Sequence, residues 1–208
     1  MSIAIIGAGN VGAALAAALS SKGQKVVLGV NTPGKYQALM HRLGANVSMS
    51  TVADALAQND LIILAVPYLA LQGIANQLTD WQGKIVVDAT NPLAPGLTGL
   101  LLGTNTSGAE EFSKLAHGAR VVKAFNTIGA EHLEDASFTG GMPMMPICGD
   151  DAEARLRVKS LVSLIGFEAI DMGSLSAARI IEPMAMAWIH LAIKLGAGRN
   201  FAFGMLRK

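Results

Sequence analysis

Short apolar runs recur along this chain. Each is followed by a turn of glycine, proline or polar residues and then by a segment with helical spacing. The pattern predicts strands over 2–6, 25–29, 45–49, 61–66, 84–88, 120–125, 142–148 and 167–171. Leu61-Ile62-Ile63-Leu64-Ala65-Val66 is apolar throughout, as expected of a parallel strand covered on both faces. Between the strands, the spacing predicts helices over 13–19, 33–43, 51–58, 69–78, 107–115 and 154–165, with a last one from about 176 to 195. Pro143 and Pro146 place the 142–148 strand near a sheet edge or at a bend. Strands alternating with helices imply an α/β fold with a mostly parallel sheet.

The first connection carries the strongest chemical signal. Gly7-Ala8-Gly9-Asn10-Val11-Gly12 joins the first strand to a helix of small residues, and Gly-x-Gly-x-x-Gly in that setting is a dinucleotide-binding fingerprint. Gly7 would allow a tight turn, Gly9 close approach of backbone to a pyrophosphate, and Gly12 close packing of helix on strand. Gly7, Ala8, Gly9, Asn10 and Val11 are therefore candidate cofactor-binding residues. A purely structural turn is the alternative, but so many glycines cost backbone entropy without a packing reason. A signal peptide is excluded by the missing basic segment before the apolar run and by the interruptions at Gly9, Asn10 and Gly12. The chain thus predicts a single Rossmann-type, doubly wound dinucleotide-binding domain over 1–208, with a small C-terminal extension from about 140 and a C-terminal helix.

An NAD site usually places an acid after the second strand, to bind the ribose hydroxyls. Here that place holds Val30-Asn31, neither of them acidic. Asn31 and Thr32 can donate hydrogen bonds, and Lys35 opens the next helix, so NADP(H) is favoured while NAD(H) stays open. Ala65, Val66 and Pro67 end the fourth strand, and Thr90, Asn91 and Pro92 follow the fifth. Asn126 and Thr127 follow the sixth. Open α/β sheets bind ligands at that edge, so Asn126 and Thr127 are expected to point into the cleft, although Asn91-Pro92 is also a turn signal. Residues 94–108, rich in glycine, threonine and serine, read as a mobile loop or lid, and Ser107 with Glu110 has capping-box spacing.

Composition narrows the partners. Of 208 residues, 51% are apolar, enough for a sizeable core, and the formal net charge of +1 comes with no basic stripe, which argues against nucleic acid. One cysteine, Cys148, fits a reducing cytoplasm and reads as core packing. No apolar run reaches the roughly 20 residues needed to span a bilayer, so a soluble, cytoplasmic protein without a membrane partner is expected. The apolar 184–195 segment would close the core or pair two subunits into a homodimer. Asp54 reads as an unpartnered surface acid, and the acids over 150–153 as helix capping. His41, His117, His132 and His190 are scattered, and no metal site is expected.

Four stretches together carry a family likeness: Gly7 to Gly12, Val121 to Thr127, Pro146 to Asp151, and Asp171 to Arg179. With them the chain resembles the coenzyme F420 (deazaflavin)-dependent NADP oxidoreductase family, and also the cytosolic NADPH domain of six-transmembrane metalloreductases. The resemblance implies direct hydride transfer between NADP(H) and a small planar acceptor, a deazaflavin or flavin. Thr90, Asn91, Asn126 and Thr127 would act as positioning groups, with no side-chain acid or base. Two departures stand out. Family members carry Ser-Arg where this chain has Val30-Asn31, with Lys35 matching their following lysine. The archaeal enzymes tend to have histidine at the positions of Ala70 and Asn126 here. Two other readings remain open: a reductase of small carbonyls or imines completed by dimerisation, and a non-enzymatic NADPH-binding redox sensor.

Overall fold

In the computed structural model, which describes residues 2–208, the first strand β1 (Ile3–Ile6) lies inside an eight-stranded sheet. The others are β2 (Val26–Val30), β3 (Val47–Thr51), β4 (Leu61–Leu64), β5 (Ile85–Asp88), β6 (Arg120–Lys123), β7 (Met144–Gly149) and β8 (Glu168–Asp171). Their order is β3-β2-β1-β4-β5-β6-β7-β8. The first six run parallel; β7 is antiparallel to β6, and β8 parallel to β7. The order reverses between β1 and β4, the switch point at whose carboxyl ends a ligand crevice is expected in open sheets of this kind.

Each face of the sheet buries its own core. Ile3 and Ile5 of β1 pack with α1 (Asn10–Ser21), α2 (Gln37–Leu43) and α6 (Ala152–Leu164). Ala4 and Ile6 point the other way, toward α3 (Val52–Gln58), α4 (Leu71–Ala75), α5 (Gly108–Leu115) and α7 (Ala178–Ile189). Strand side chains alternate, so a strand covered on both faces must be apolar at every position.

Pro146 sits in β7 without breaking the sheet because β6 meets β7 only at Val122↔Gly149 and Lys123↔Cys148. On that side of the strand the Met144 N–H donates instead to the Phe203 carbonyl at 2.8 Å, and the missing Pro146 N–H costs no ladder bond. The C-terminal segment thus completes what β6 leaves short.

Several expectations are corrected. The 69–78 helix shrinks to a 3-10 turn, Tyr68–Ala70, and the short α4, which has Gly73 at its centre and Asn76 as its C-cap. The last helix is split into a 3-10 turn (Leu175–Ala177), α7 and a π-turn (His190–Lys194) closed by the Leu195 N–H on the His190 carbonyl. Asp54 does have a partner: it accepts from the Thr51 hydroxyl at 2.6 Å while Thr51 caps the Asp54 N–H. The 94–108 segment is the expected loop, and it carries bonds of its own: a Leu93↔Leu100 bridge and hydrogen bonds from the Ala94 N–H to the Gly99 carbonyl and from the Leu101 N–H to the Pro92 carbonyl.

One face of α7 buries Ile181, Glu182, Ala185 and Trp188, whereas Ile180 is 62% exposed, with Leu191, Ile193 and Leu195 also open beyond the helix. Among the described residues, no helix is long and apolar enough to cross a membrane.

Of the acids over 150–153, Asp150 and Asp151 act as caps, whereas Glu153 pairs with Arg120 at 3.2 Å. Asp151 Oδ1 accepts the Ala154 N–H at 2.7 Å at the start of α6, and Asp150 Oδ1 accepts the Leu175 N–H at 2.9 Å. Asp151→Ala should therefore cost about 1 kcal/mol. Urea denaturation checks this: the midpoint should fall with an unchanged slope, and an unmoved midpoint would show that the cap contributes nothing.

Candidate functional site

The crevice between β1 and β4 is built by glycines at positions where no other residue fits. Gly7 leaves β1 with φ +104°, and a Cβ on it would lie 2.4 Å from the Ala65 carbonyl oxygen. A Cβ on Gly12 would lie 2.0 Å from the Gly7 carbonyl oxygen, so α1 can approach the turn only as glycine. Gly9 is different: a Cβ there would meet nothing within 4 Å, and the residue is exposed. Gly9 is also the N-cap of α1, supplies no side-chain cap, and is followed by a first turn without acids. The free N–H groups and the positive end of the helix dipole therefore face open space, a ready-made anion site.

The other candidates stand along the same edge. Asn31, Thr32 and Lys35 are exposed just past β2, where Thr32 leads into a 3-10 turn, Pro33–Tyr36. Ala65 and Val66 are half-buried after β4 and Pro67 is exposed. Past β5 and β6, Asn91 Nδ2 donates to the Asn126 carbonyl at 3.1 Å and Asn126 Nδ2 returns a bond to Asn91 Oδ1 at 2.9 Å. Pro92 is buried behind them. Two polar atoms here are buried and unpartnered, Thr90 Oγ1 and Asn126 Oδ1. Such atoms cost free energy unless a ligand or water meets them.

Thr127 corrects the sequence reading. It is buried, and its hydroxyl lies 3.7 Å from the sulfur of Met145 in β7, so it presents no hydroxyl to the crevice. The reason lies two residues earlier. Phe125 is buried with φ +65°, a conformation costing roughly 1–3 kcal/mol in a non-glycine residue. This local turn redirects the chain leaving β6.

Sequence reasoning missed a buried charge cluster beside these loops. Lys123 of β6 is fully buried. Its Nζ donates to Asp88 Oδ2 of β5 at 2.9 Å, to Glu182 Oε1 of α7 at 2.9 Å and to the Thr90 carbonyl at 2.6 Å. Glu182 in turn accepts the Gly108 and Ala109 N–H groups at 2.9 and 3.2 Å, at the start of α5. Its extra negative charge thus rests on a helix N-terminus. Burial disfavours the ammonium, but the two carboxylates outweigh it and hold the Lys123 pKa above the ordinary lysine value. Tyr68, packed against Gly108, has its phenol raised by burial and then by Glu111, Glu182 and Asp88, which keeps it protonated. Burial pushes the Cys148 thiol up to about 12, the value of an inert packing residue. The clue available in the sequence was a charge closing each of two apolar strands, Asp88 and Lys123, and one set within an apolar helix, Glu182.

Known proteins share this chain's sequence pattern and fold. Residues 2–92 match the family model described as NADP oxidoreductase, coenzyme F420-dependent. The chain is 32% identical over 210 residues to the F420-dependent NADP reductase of Methanocaldococcus jannaschii, covering 93% of both chains. It is 34% identical over 187 residues to metalloreductase STEAP3 of Rattus norvegicus, covering 88% of this chain but only 36% of that protein. A solved structure from an Arthrobacter species superposes with a TM-score of 0.88 at 29% identity over the whole of both chains. A reductive aminase from Aspergillus terreus shares the fold at TM-score 0.69 and 19% identity, over 94% of this chain and 62% of that one.

The two glycines should behave differently on substitution. Gly12→Ala must displace backbone and should lower the melting temperature by more than about 5 °C, whereas Gly9→Ala should cost less than about 1 kcal/mol. Differential scanning fluorimetry without added nucleotide checks this; equal melting temperatures would contradict the packing role of Gly12.

Proposed function

This chain belongs to the family of F420-dependent NADP reductases, and on that premise we propose that it transfers a hydride directly between NADP(H) and a deazaflavin or flavin acceptor. The observation that carries the proposal is the uncapped, acid-free start of α1 over open space at Gly9. A pyrophosphate fits there on the backbone from Gly7 to Val11. The unmet polar atoms of Thr90 and Asn126 fit a ligand that brings its own donors and acceptors to the loops after β5 and β6.

Roles for the remaining residues follow from their places. Val30 leaves the end of β2 without an acid, and Asn31, Thr32 and Lys35 beside it can hold a 2′-phosphate; Lys35 acts as a point charge in place of an arginine fork. This supports NADP(H) over NAD(H). Ala65, Val66 and Pro67 offer an apolar wall that excludes water, and Asn91 and Asn126 orient the ring end of the nucleotide. Thr127 contributes through its backbone alone. When bound, the nicotinamide supplies the hydride; the protein's part is to hold two planar rings close and aligned. We read residues 1–208 as one dinucleotide-binding unit whose extension from about 140 continues the sheet through β7 and β8. The chain spans only 36% of the rat metalloreductase, so ferric reduction belongs to the tests rather than to the reading.

Oxidation of NADPH and of NADH should be followed with coenzyme F420, FMN, FAD, a ferric chelate and a cyclic imine. Bleaching of the deazaflavin band with NADPH, at least about tenfold faster than with NADH, is expected, since one charge contact to the 2′-phosphate is of that size. Turnover confined to the ferric chelate or the imine would move the protein to a different acceptor class. Nucleotide binding with every acceptor silent would contradict the enzyme reading.

A further inference from the structure

The buried cluster of Asp88, Lys123 and Glu182 lies outside the binding residues just named, yet its bonds converge on one of them. Asp88 Oδ1 accepts the Thr90 N–H at 2.9 Å, and Lys123 Nζ donates to the Thr90 carbonyl at 2.6 Å. Both backbone groups of Thr90 are therefore held by the same ion pair. Few loop residues are fixed in this way, because loop peptides usually turn to water. The loop side chains contrast with that fixed backbone. Thr90 Oγ1 and Asn126 Oδ1 are buried and unmet, and Asn91, the next residue, is tied to Asn126 by reciprocal bonds.

We propose that Lys123, braced between Asp88 and Glu182, is a positioning residue that holds Thr90, Asn91 and Asn126 ready for the nicotinamide half of the nucleotide before it arrives. The proposal rests on the nucleotide reading above. Glu182 extends the brace to the C-terminal part of the chain: it carries α7 to the cluster and fastens the start of α5 through Gly108 and Ala109. Arg179, one turn earlier on α7, grips Glu110 of α5 through Nε and Nη2 at 2.6–3.2 Å, so the two helices are tied at successive turns. The loop geometry at the crevice is thereby set by a helix that the nucleotide need not touch. A preformed site binds more tightly because it has no ordering left to do.

Removing Lys123 alone would strand two carboxylates, so the test uses Asp88→Asn with Lys123→Met. Asn keeps an acceptor for the Thr90 N–H, Glu182 keeps its bonds to the α5 N-terminus, and the net buried charge stays at one negative, as in the unaltered protein. Two ligands are titrated calorimetrically: NADPH, and 2′,5′-ADP, which has the adenosine half and the 2′-phosphate but no nicotinamide. The double variant should bind NADPH about tenfold more weakly, the size of one charge-assisted hydrogen bond, and lose the fluorescence enhancement of the bound dihydronicotinamide. Its affinity for 2′,5′-ADP should stay within about twofold, as for a distant site. Unchanged NADPH affinity, or equal loss for both ligands, would overturn the proposal. Wild-type protein that binds neither ligand would sink the nucleotide reading itself, a separate result. Hydrogen exchange on the unaltered protein gives an answer even if the variant fails to fold. The amides of residues 88–91 should be equally protected with and without NADPH; protection that appears only on binding would show that the loop is not preformed.

Discussion

The site depends on how closely α1 can come to the end of β1. With a hydrogen in place of a Cβ at Gly12, the helix meets the Gly7 carbonyl directly, and the same turn packs Gly7 against the Ala65 carbonyl at the end of β4. Any larger residue at either position would force the helix start away from the sheet. That contact puts a free helix N-terminus at the point where the strand order reverses, with no side chain filling the space before it. Everything ascribed to the crevice follows from having that positive end fixed and exposed. The parallel arrangement of β1 to β6 then delivers the loops after β2, β4, β5 and β6 to the same edge.

A second constraint acts from behind. A lysine in the interior of a sheet is costly unless its charge and its hydrogens are met. Here two carboxylates and a carbonyl meet them, and the surplus charge is taken up by a helix terminus. The arrangement joins four pieces that would otherwise be independent: the β5 and β6 loops, the start of α5 and α7. It also ties α7, near the end of the chain, to strands and loops formed much earlier in it. The strained Phe125 turn lies two residues past Lys123 and is buried in the hydrophobic core.

Much of this was legible in the sequence because the information was local. The glycine turn, the apolar strands and the caps at Ser107 and Asp151 are patterns within a few residues, and each appears in the structure where its spacing puts it. Helix lengths were less legible: Gly73 and Asn76 end α4 early, and a π-turn follows α7, through backbone choices that periodicity does not encode. The direction of Thr127 could not be read, since it turns on a single left-handed residue at Phe125. The charge cluster was visible only as single members of three separate apolar segments. Its meaning lies in contacts between residues far apart in the chain, and no spacing rule connects Asp88, Lys123 and Glu182.

On the proposed function, the protein works by holding two rings together, with the hydride passing straight between them. NADPH deuterated at the transferable position of its nicotinamide should be incubated with the enzyme and coenzyme F420, and the products examined by mass spectrometry and proton NMR. Direct transfer predicts one deuterium on the reduced deazaflavin and none exchanged into water. Label that is lost to solvent, or that stays in the nicotinamide while the deazaflavin is unreduced, would rule out direct transfer.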